Sequence, residues 1–361
     1  MLFSKAIAMK RSLLKIHRVI SLFVAVFWLV QAVTGVALVF HREIESAILS
    51  EPAGDSDFGA IDQTITKVLA EREGSHIPFV YAANEAFNSY DVYVADADDN
   101  YSVIRMAGDG TILRELPSNP EVLDAGFFEL VLELHAKLWS GDTGHIIIGI
   151  SGIILLSNII MGIALAWPQG RRWRGAIRMP KNKSGKAGMY GLHRSFGLLF
   201  GVPAALVVLA GTLLAWEDNI AEMLGTESVV PTVPAISKLP ENYVSLSAAI
   251  SLAQAQFPTA GISVFTVASA EKPYYRIRMA QPEELRTIYG KTTLYISAVD
   301  GSILALDNPM IAPVNNRLVN AFYPLHIGEA LGLIGRFIVF MVGCWILAMM
   351  FLGGRLWWLR R

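Results

Sequence analysis

Four stretches of this chain are each apolar over close to the ~20 residues that a helix needs to cross the hydrocarbon core of a bilayer. They are Val19–Phe40, Ile146–Trp167, Phe196–Trp216 and Ile334–Leu352. In lipid a backbone must satisfy its own hydrogen bonds, so such stretches can only be helices. The 361 residues are 53% hydrophobic with a mean hydropathy of +0.44, which excludes an ordinary soluble protein. The first stretch is followed by folding sequence and lacks a small-residue cleavage site. It is therefore expected to be a retained anchor and not a removed signal peptide.

Charge orders the segments. Residues 1–18 hold Lys5, Lys10, Arg11, Lys15 and Arg18 with no acid, and the stretch from Pro168 to Ser195 holds eight Lys/Arg with no acid. The tail adds Arg355, Arg360 and Arg361. The loops at about 41–145 and 217–326 carry 20 and 10 acids against 6 and 7 bases. The positive-inside rule then puts both termini and the middle loop in the cytoplasm and the two long loops outside. For a bacterial-looking inner-membrane protein, outside means the periplasm. The net charge of -1 hides this asymmetry. The expected surroundings are a lipid bilayer, with no nucleic acid. The single cysteine, Cys344 in the fourth segment, excludes intramolecular disulfides and a cysteine-ligated cluster.

The chain repeats itself. His17 and His193 lie 176 residues apart, as do Gly35 and Gly211; His135 and His326 lie 191 apart, as do Asp109 and Asp300. The text after His135 and after His326 is the same: His-x5-Gly-x2-Gly followed by a basic residue, with Gly141 and Gly144 in one copy and Gly332 and Gly335 in the other. Each long loop reads as a helix (Ile61–Glu73; Leu246–Phe257) followed by alternating, β-branched strands. Gly108–Thr111 and Val299–Ser302 supply hairpin chemistry. The expected fold is a four-span helical bundle built from a duplicated unit, with two small α+β modules outside. FFELVLELHAKLW and RLVNAFYPLHIGEALG should each form an interfacial helix that carries a histidine.

An ionisable or metal-binding side chain at a membrane segment is a functional hypothesis by default. Topology pairs His17 with His193 near the cytoplasmic face and His135 with His326 near the other. Two imidazoles approaching from two helices suit a haem iron bound from both sides. One site per leaflet would make an electron path across the ~30 Å core. Zinc fits less well, since each face offers only two repeat-matched ligands. A carboxylate-bridged di-iron site would need Glu-x-x-His within a span, and none occurs. The alternative for any one histidine is an interfacial polar residue bonded to a carbonyl. His41 and His145 are not matched by the repeat, but their place near the outer face makes them additional candidate ligands. His76 is expected to be an ordinary loop residue. Arg18 and Arg194, which follow their histidines directly, and Arg336 are candidate partners for haem propionates. Anchoring on the positive side explains Arg18 and Arg194 equally. Gln31, Ser151, Ser157 and Asn158 are expected to face the bundle interior. Gly35, Gly149, Gly152 and Gly211 would allow either close helix approach or room for a macrocycle. Arg276, Arg278, Arg286 and Lys291, with Tyr274, Tyr275 and Tyr289, read either as a solvated strand face or as a greeting for an anionic ligand.

Leu192-His193-Arg194-Ser195-Phe196-Gly197-Leu198, Thr34-Gly35, Leu134-His135, Leu325-His326 and the two outer modules ending in Asp-Gly-Thr/Ser-Ile-Leu resemble the PepSY-associated transmembrane proteins. That family includes iron-regulated inner-membrane proteins and ferrisiderophore reductases. The first span reads Ile16-His17-Arg18-Val19-Ile20-Ser21 and lacks the counterpart of Gly197. The resemblance implies two periplasmic PepSY modules and two b-type haems, with His17 and His193 as ligands inside and His135 and His326 outside. It divides the chain into a basic N-terminus and first span (1–41), module one (42–125), interfacial helix and second span (126–167), and basic loop (168–195). The third span (196–216), module two (217–316), interfacial helix and fourth span (317–352), and cytoplasmic tail (353–361) complete it. The implied function is reduction of a ferric siderophore or other ferric chelate, an oxidoreductase activity of use in iron uptake. No flavin or nicotinamide motif follows the fourth span, so a separate cytoplasmic or quinol donor is expected. The alternative is a haem-free PepSY envelope module that binds a peptide, protease or partner protein.

Overall fold

The structure, a computed structural model, describes residues 2–98, 100–117, 126–168, 170, 172–180, 185–226 and 229–360. Arg171, Lys181 and Lys183 of the basic loop, and Arg361, fall outside these. The first half runs α1 (Leu2–Phe23), α2 (Ala25–Leu38), α3 (His41–Leu49), α4 (Phe58–Glu71), β1 (His76–Ala82), β2 (Ser89–Ala95), β3 (Tyr101–Ala107), β4 (Ile112–Pro117), α5 (Phe127–Lys137) and α6 (Gly141–Ala166). After α7 (Trp173–Ile177) the pattern returns as α8 (Gly185–Leu214), α9 (Glu217–Met223), α10 (Leu246–Gln256), β5 (Gly261–Phe265), β6 (Tyr274–Ala280), β7 (Thr292–Ser297) and β8 (Ile303–Asp307). It closes with α11 (Val314–Asn320), α12 (Phe322–Ile327), a 3-10 turn at Glu329–Leu331 and α13 (Gly332–Trp358).

The chain divides into a helical unit (Met1–Val39, Val131–Asp218, Leu325–Arg361) and a sheet unit (Phe40–Leu130, Asn219–Pro324). In the helical unit α6, α8 and the stretch from Glu329 to Trp358 are each long and apolar enough to cross a membrane. Few of their residues are buried within the protein, as helices that meet lipid require. The first apolar stretch is not one straight helix. It breaks at Val24, and its two parts, Ala8–Phe23 and Ala25–Leu38, bend by 66°. α6 packs on α8, α8 on α13, α13 on α2, and α1 on α6. Gly149 lies against the Trp216 indole, where a Cβ would come within 2.5 Å, and Gly152 lies against Thr212. These two glycines therefore serve close approach of α6 to α8. Ser151 accepts from Trp28 Nε1 (3.1 Å) and Asn158 donates to Ser21 (2.9 Å), both buried as expected. Ser157 is a correction: it is exposed and bonds only its own helix, at Ile154.

The sheet unit corrects the expectation of two separate modules. Each half does supply one helix and a four-strand antiparallel meander. The meanders, however, join edge to edge into one eight-stranded sheet of order β4-β3-β2-β1-β5-β6-β7-β8. The seam is an antiparallel pairing of β1 with β5, Val80 opposite Phe265 and Tyr81 opposite Val264. Period-two alternation sends Tyr90, Val92, Ile104, Met106, Tyr275, Ile277, Met279, Leu294 and Ile296 to one face. There they bury against Ile61, Ile65 and Val68 of α4 and Leu246, Ala249, Ile250 and Ala253 of α10. Asp57 caps α4 by accepting from the Gly59 and Ala60 amides, and Ser245 caps α10 by accepting from Ala248.

The other face of the first half is held by one cation. Arg105 is 4% exposed and binds Asp91 (2.6 Å), Glu51 (2.8 Å) and Glu45 (3.5 Å). Glu51 also accepts from Ser46, Asn84 and Ser89. Burial alone would raise the Glu51 carboxyl; the hydrogen bonds and Arg105 outweigh it and hold the group below its ordinary value. Replacing Arg105 with Leu should destabilise the protein by about 3–5 kcal/mol, because it strands buried carboxylates; thermal and denaturant unfolding in detergent would show it. A depressed carboxyl contributes stability that is complete above its unfolded value of 4.5 and is lost as pH falls through the folded value. Glu51→Gln should therefore flatten the acid limb of stability below about pH 4.5, and an unchanged acid limb would contradict the assignment.

Candidate functional site

The four repeat-matched histidines meet as two pairs. His17 of α1 faces His193 of α8 with ring centres 6.4 Å apart and planes at 67°. His135 of α5 faces His326 of α12 at 6.3 Å and 22°. The His-x5-Gly-x2-Gly motif explains how the outer pair reaches its place. Gly141 and Gly332 take φ of +54° and +57°, a left-handed turn that costs a glycine little. Gly144 and Gly335 then lie on the carbonyls of Lys137 and Gly328, with no space for a side chain. The chain thus folds back tightly between each histidine helix and the span that follows it.

Each ring occupies the same kind of seat. The Cε1 edge of His17 lies on Gly162 of α6, that of His193 on Gly353 of α13, that of His135 on Gly35 of α2, and that of His326 on Gly211 of α8. Nδ1 is turned to the carbonyl four residues before the glycine: Asn158 for His17 (3.2 Å) and Val207 for His326 (3.1 Å). His135 Nδ1 meets the Thr34 hydroxyl at 2.9 Å. That hydroxyl gives its single proton to the carbonyls of Val30 and Gln31, so it accepts from the imidazole. His193 is the looser member: its Nδ1 is buried without a formed hydrogen bond, although the Met349 backbone lies in the equivalent position. A carbonyl can only accept, so Nδ1 carries the proton and the lone pair is left on Nε2. Metal-ligating histidines are commonly oriented in this way.

The spacing tests the fit of a shared metal. Two metal–imidazole bonds of about 2 Å, plus two ring radii of about 1.1 Å, put the centres of two ligating rings about 6.2 Å apart. The observed 6.4 and 6.3 Å match within a few tenths of an ångström. Such a distance also suits a plain ring contact. The seating of Nδ1, repeated around the bundle, is what favours a ligand between the rings. His193 and Gly211 lie on one helix, 18 residues apart. At 1.5 Å per residue this separates the two pairs by about 27 Å along α8.

The profile of the PepSY-associated TM region matches residues 14–360. The chain belongs to this family. It is accordingly a multi-pass membrane protein. It is also 33% identical over 95 residues to the uncharacterized protein PA4219 of Pseudomonas aeruginosa, a match covering 24% of this chain and 23% of that protein. The aligned part is thus less than a quarter of that relative.

The remaining candidates of this PepSY-associated protein separate by position. His145 lies in the first turn of α6 and is half-buried, while His41 opens α3 in the sheet unit with its ring 5.9 Å from Phe128. Among the described residues no group of three or more His, Cys, Asp or Glu side chains gathers as a metal site, so each pair stands as two imidazoles without a third such ligand. Arg18 is exposed. Arg194 donates to the Gly175 carbonyl (2.8 Å) and Arg336, 5% exposed, to that of Val39 (2.7 Å). Gln31 Nε2 is buried without a partner, about one helical turn before Gly35, the seat of His135. Gly162 and Gly353 were not singled out by sequence, yet they carry the 191-residue offset that would have found them.

A Cβ at Gly211 would stand 2.5 Å from the His326 ring, at Gly35 3.0 Å, at Gly162 3.2 Å and at Gly353 3.6 Å. Overpacking of this kind costs about 1–3 kcal/mol, whereas alanine gains about 1 kcal/mol over glycine in a helix. Alanine substitution should therefore be most damaging at Gly211, milder at Gly35 and Gly162, and neutral or stabilising at Gly353. Thermal midpoints of the four variants would give the order; equal effects at Gly211 and Gly353 would refute the seating.

Proposed function

We propose that this PepSY-associated protein is a di-haem b-type electron carrier of the bacterial inner membrane, with both termini cytoplasmic, that reduces a periplasmic ferric siderophore or other ferric chelate. The observation that carries the reading is the pair of imidazole pairs, each at metal-bridging separation, set about 27 Å apart along α8. His17 and His193 would hold the inner haem, His135 and His326 the outer one. A haem in each site would supply reversible one-electron chemistry at the iron.

The chain's own residues do the rest. The carbonyls of Asn158 and Val207 and the Thr34 hydroxyl fix the tautomer of three of the histidines. Reduction of the ferric chelate weakens its hard oxygen ligands' hold and frees ferrous iron. The donor would be a cytoplasmic reductant or a quinol.

A second reading has its own observation. β8 is a sheet edge whose Ile303, Leu304 and Leu306 are 44%, 37% and 42% exposed. An exposed apolar edge strand can take an added strand from a peptide or partner protein. This haem-free binding module is the alternative.

One measurement separates them. Protein purified from haem-replete cells should show a b-type visible spectrum that sharpens on reduction, with two haems per chain. His326→Ala or His135→Ala should leave one haem, and His17→Ala or His193→Ala the other. A colourless protein, or variants that keep both haems, would overturn the reductase reading.

A further inference from the structure

The face of the sheet opposite α4 and α10 differs between its halves. In the first half Arg105 is neutralised by three carboxylates. In the second half, Arg276 and Arg278 on β6 point to this same face, since Tyr275, Ile277 and Met279 between and beside them fill the core. Arg286 joins them from the β6–β7 connection. The Nε atoms of all three are buried and have no hydrogen-bond partner, and among the described residues none of the three forms an ion pair. Asp307 on β8 feels Lys291 and Arg278 but forms an ion pair with neither arginine of β6. Burial, and then repulsion from Arg276 and Arg286, pushes Arg278 down to about 10, so it still carries its charge at neutral pH.

Aromatic rings frame the cluster. Arg286 stacks over Tyr323 at 4.0 Å and Arg42 over Tyr289 at 4.8 Å. Tyr81, Tyr289 and Tyr323 follow one another at 5.8 and 6.3 Å. These are flat walls with hydroxyl donors at their rims. Tyr275 does not belong here; it is 1% exposed on the helix side. Among the described residues, three half-buried guanidiniums side by side, with Asp307 as the one acid whose charge reaches Arg278 and no ion pair formed, leave a local excess of positive charge that pays desolvation largely unrelieved. A bound anion would offset that excess. The guanidinium fork binds carboxylates in pairs of parallel hydrogen bonds, and three forks together call for more than one carboxylate.

We propose that Arg276, Arg278 and Arg286 form a binding site for a small polycarboxylate, free or as a metal chelate, with Tyr289 and Tyr323 as its walls. This deepens the reductase reading by naming the chemistry of its substrate, but anion binding can be measured whether or not haem is present.

The test uses the intact protein in detergent, titrated calorimetrically with citrate and with ferric citrate, and with inorganic phosphate as the competing anion. Citrate should bind and weaken as salt rises, and Arg276→Gln or Arg286→Gln should weaken it by about tenfold or more. Arg278→Met should abolish binding and raise the thermal midpoint of the citrate-free protein, since it removes a buried cation that nothing neutralises; a site that is merely structural would lower that midpoint. No citrate binding by the unaltered protein, unchanged affinity in the variants, or phosphate binding as tightly as citrate would each overturn the proposal. So would loss of haem absorbance in Arg278→Met, which would assign these cations to haem propionates. A colourless protein that still binds citrate through these arginines would sink the reductase reading and leave the anion site standing.

Discussion

The helical unit is organised by a repeated contact: an imidazole lying edge-on against a glycine of another helix, with Nδ1 of His17 and His326 bonded to the backbone one helical turn earlier and that of His135 to the Thr34 hydroxyl. That contact decides which helices must adjoin, at what height, and which nitrogen is left over. A helix carbonyl is already engaged by the amide four residues on, so its second lone pair is what the imidazole takes. The arrangement therefore orients each ring without disturbing the helix that holds it. Placed on both sides of the bundle, it leaves two Nε2 atoms per pair with a gap that a metal bound to two imidazoles would fill.

The sheet unit solves a different problem with the same duplicated text. Its helix-facing side is an ordinary apolar core. Its other side carries charge, and the two halves have diverged in how they balance it. The first half neutralises its arginine internally. The second keeps its arginines unbalanced among tyrosines, which is a poor way to stabilise a sheet and a good way to attract an anion.

Much of this was legible in the sequence, because long apolar runs, period-two strands and fixed offsets are all local signals. The strands and the helices α4 and α10 fall within a few residues of where alternation and helical spacing put them. The pairing of His17 with His193 and of His135 with His326 followed from the offsets together with the expected topology of the spans. What was hidden depends on partners far away in the chain. Gly35 and Gly149 are the same residue type in similar apolar surroundings, yet one seats a histidine and the other a tryptophan. The bend at Val24 has no proline or glycine to announce it. The seam between β1 and β5 joins strands that no local pattern links, so two modules were expected where one sheet stands. The arginines of β6 could not be told from a solvated face until their burial was seen.

The seam has a meaning for how such a chain arose. β1 pairs with β5, α4 packs on α10, His17 meets His193, and His135 meets His326. In every case an element contacts its own copy. That is the signature of an isologous interface, in which a patch is complementary to itself across a two-fold axis. A chain of half this length could make each of these contacts as a homodimer, with its histidine pairs lying on the symmetry axis. Joined in one chain, the two copies are free to differ, as the two halves of the sheet do in how they place their charges.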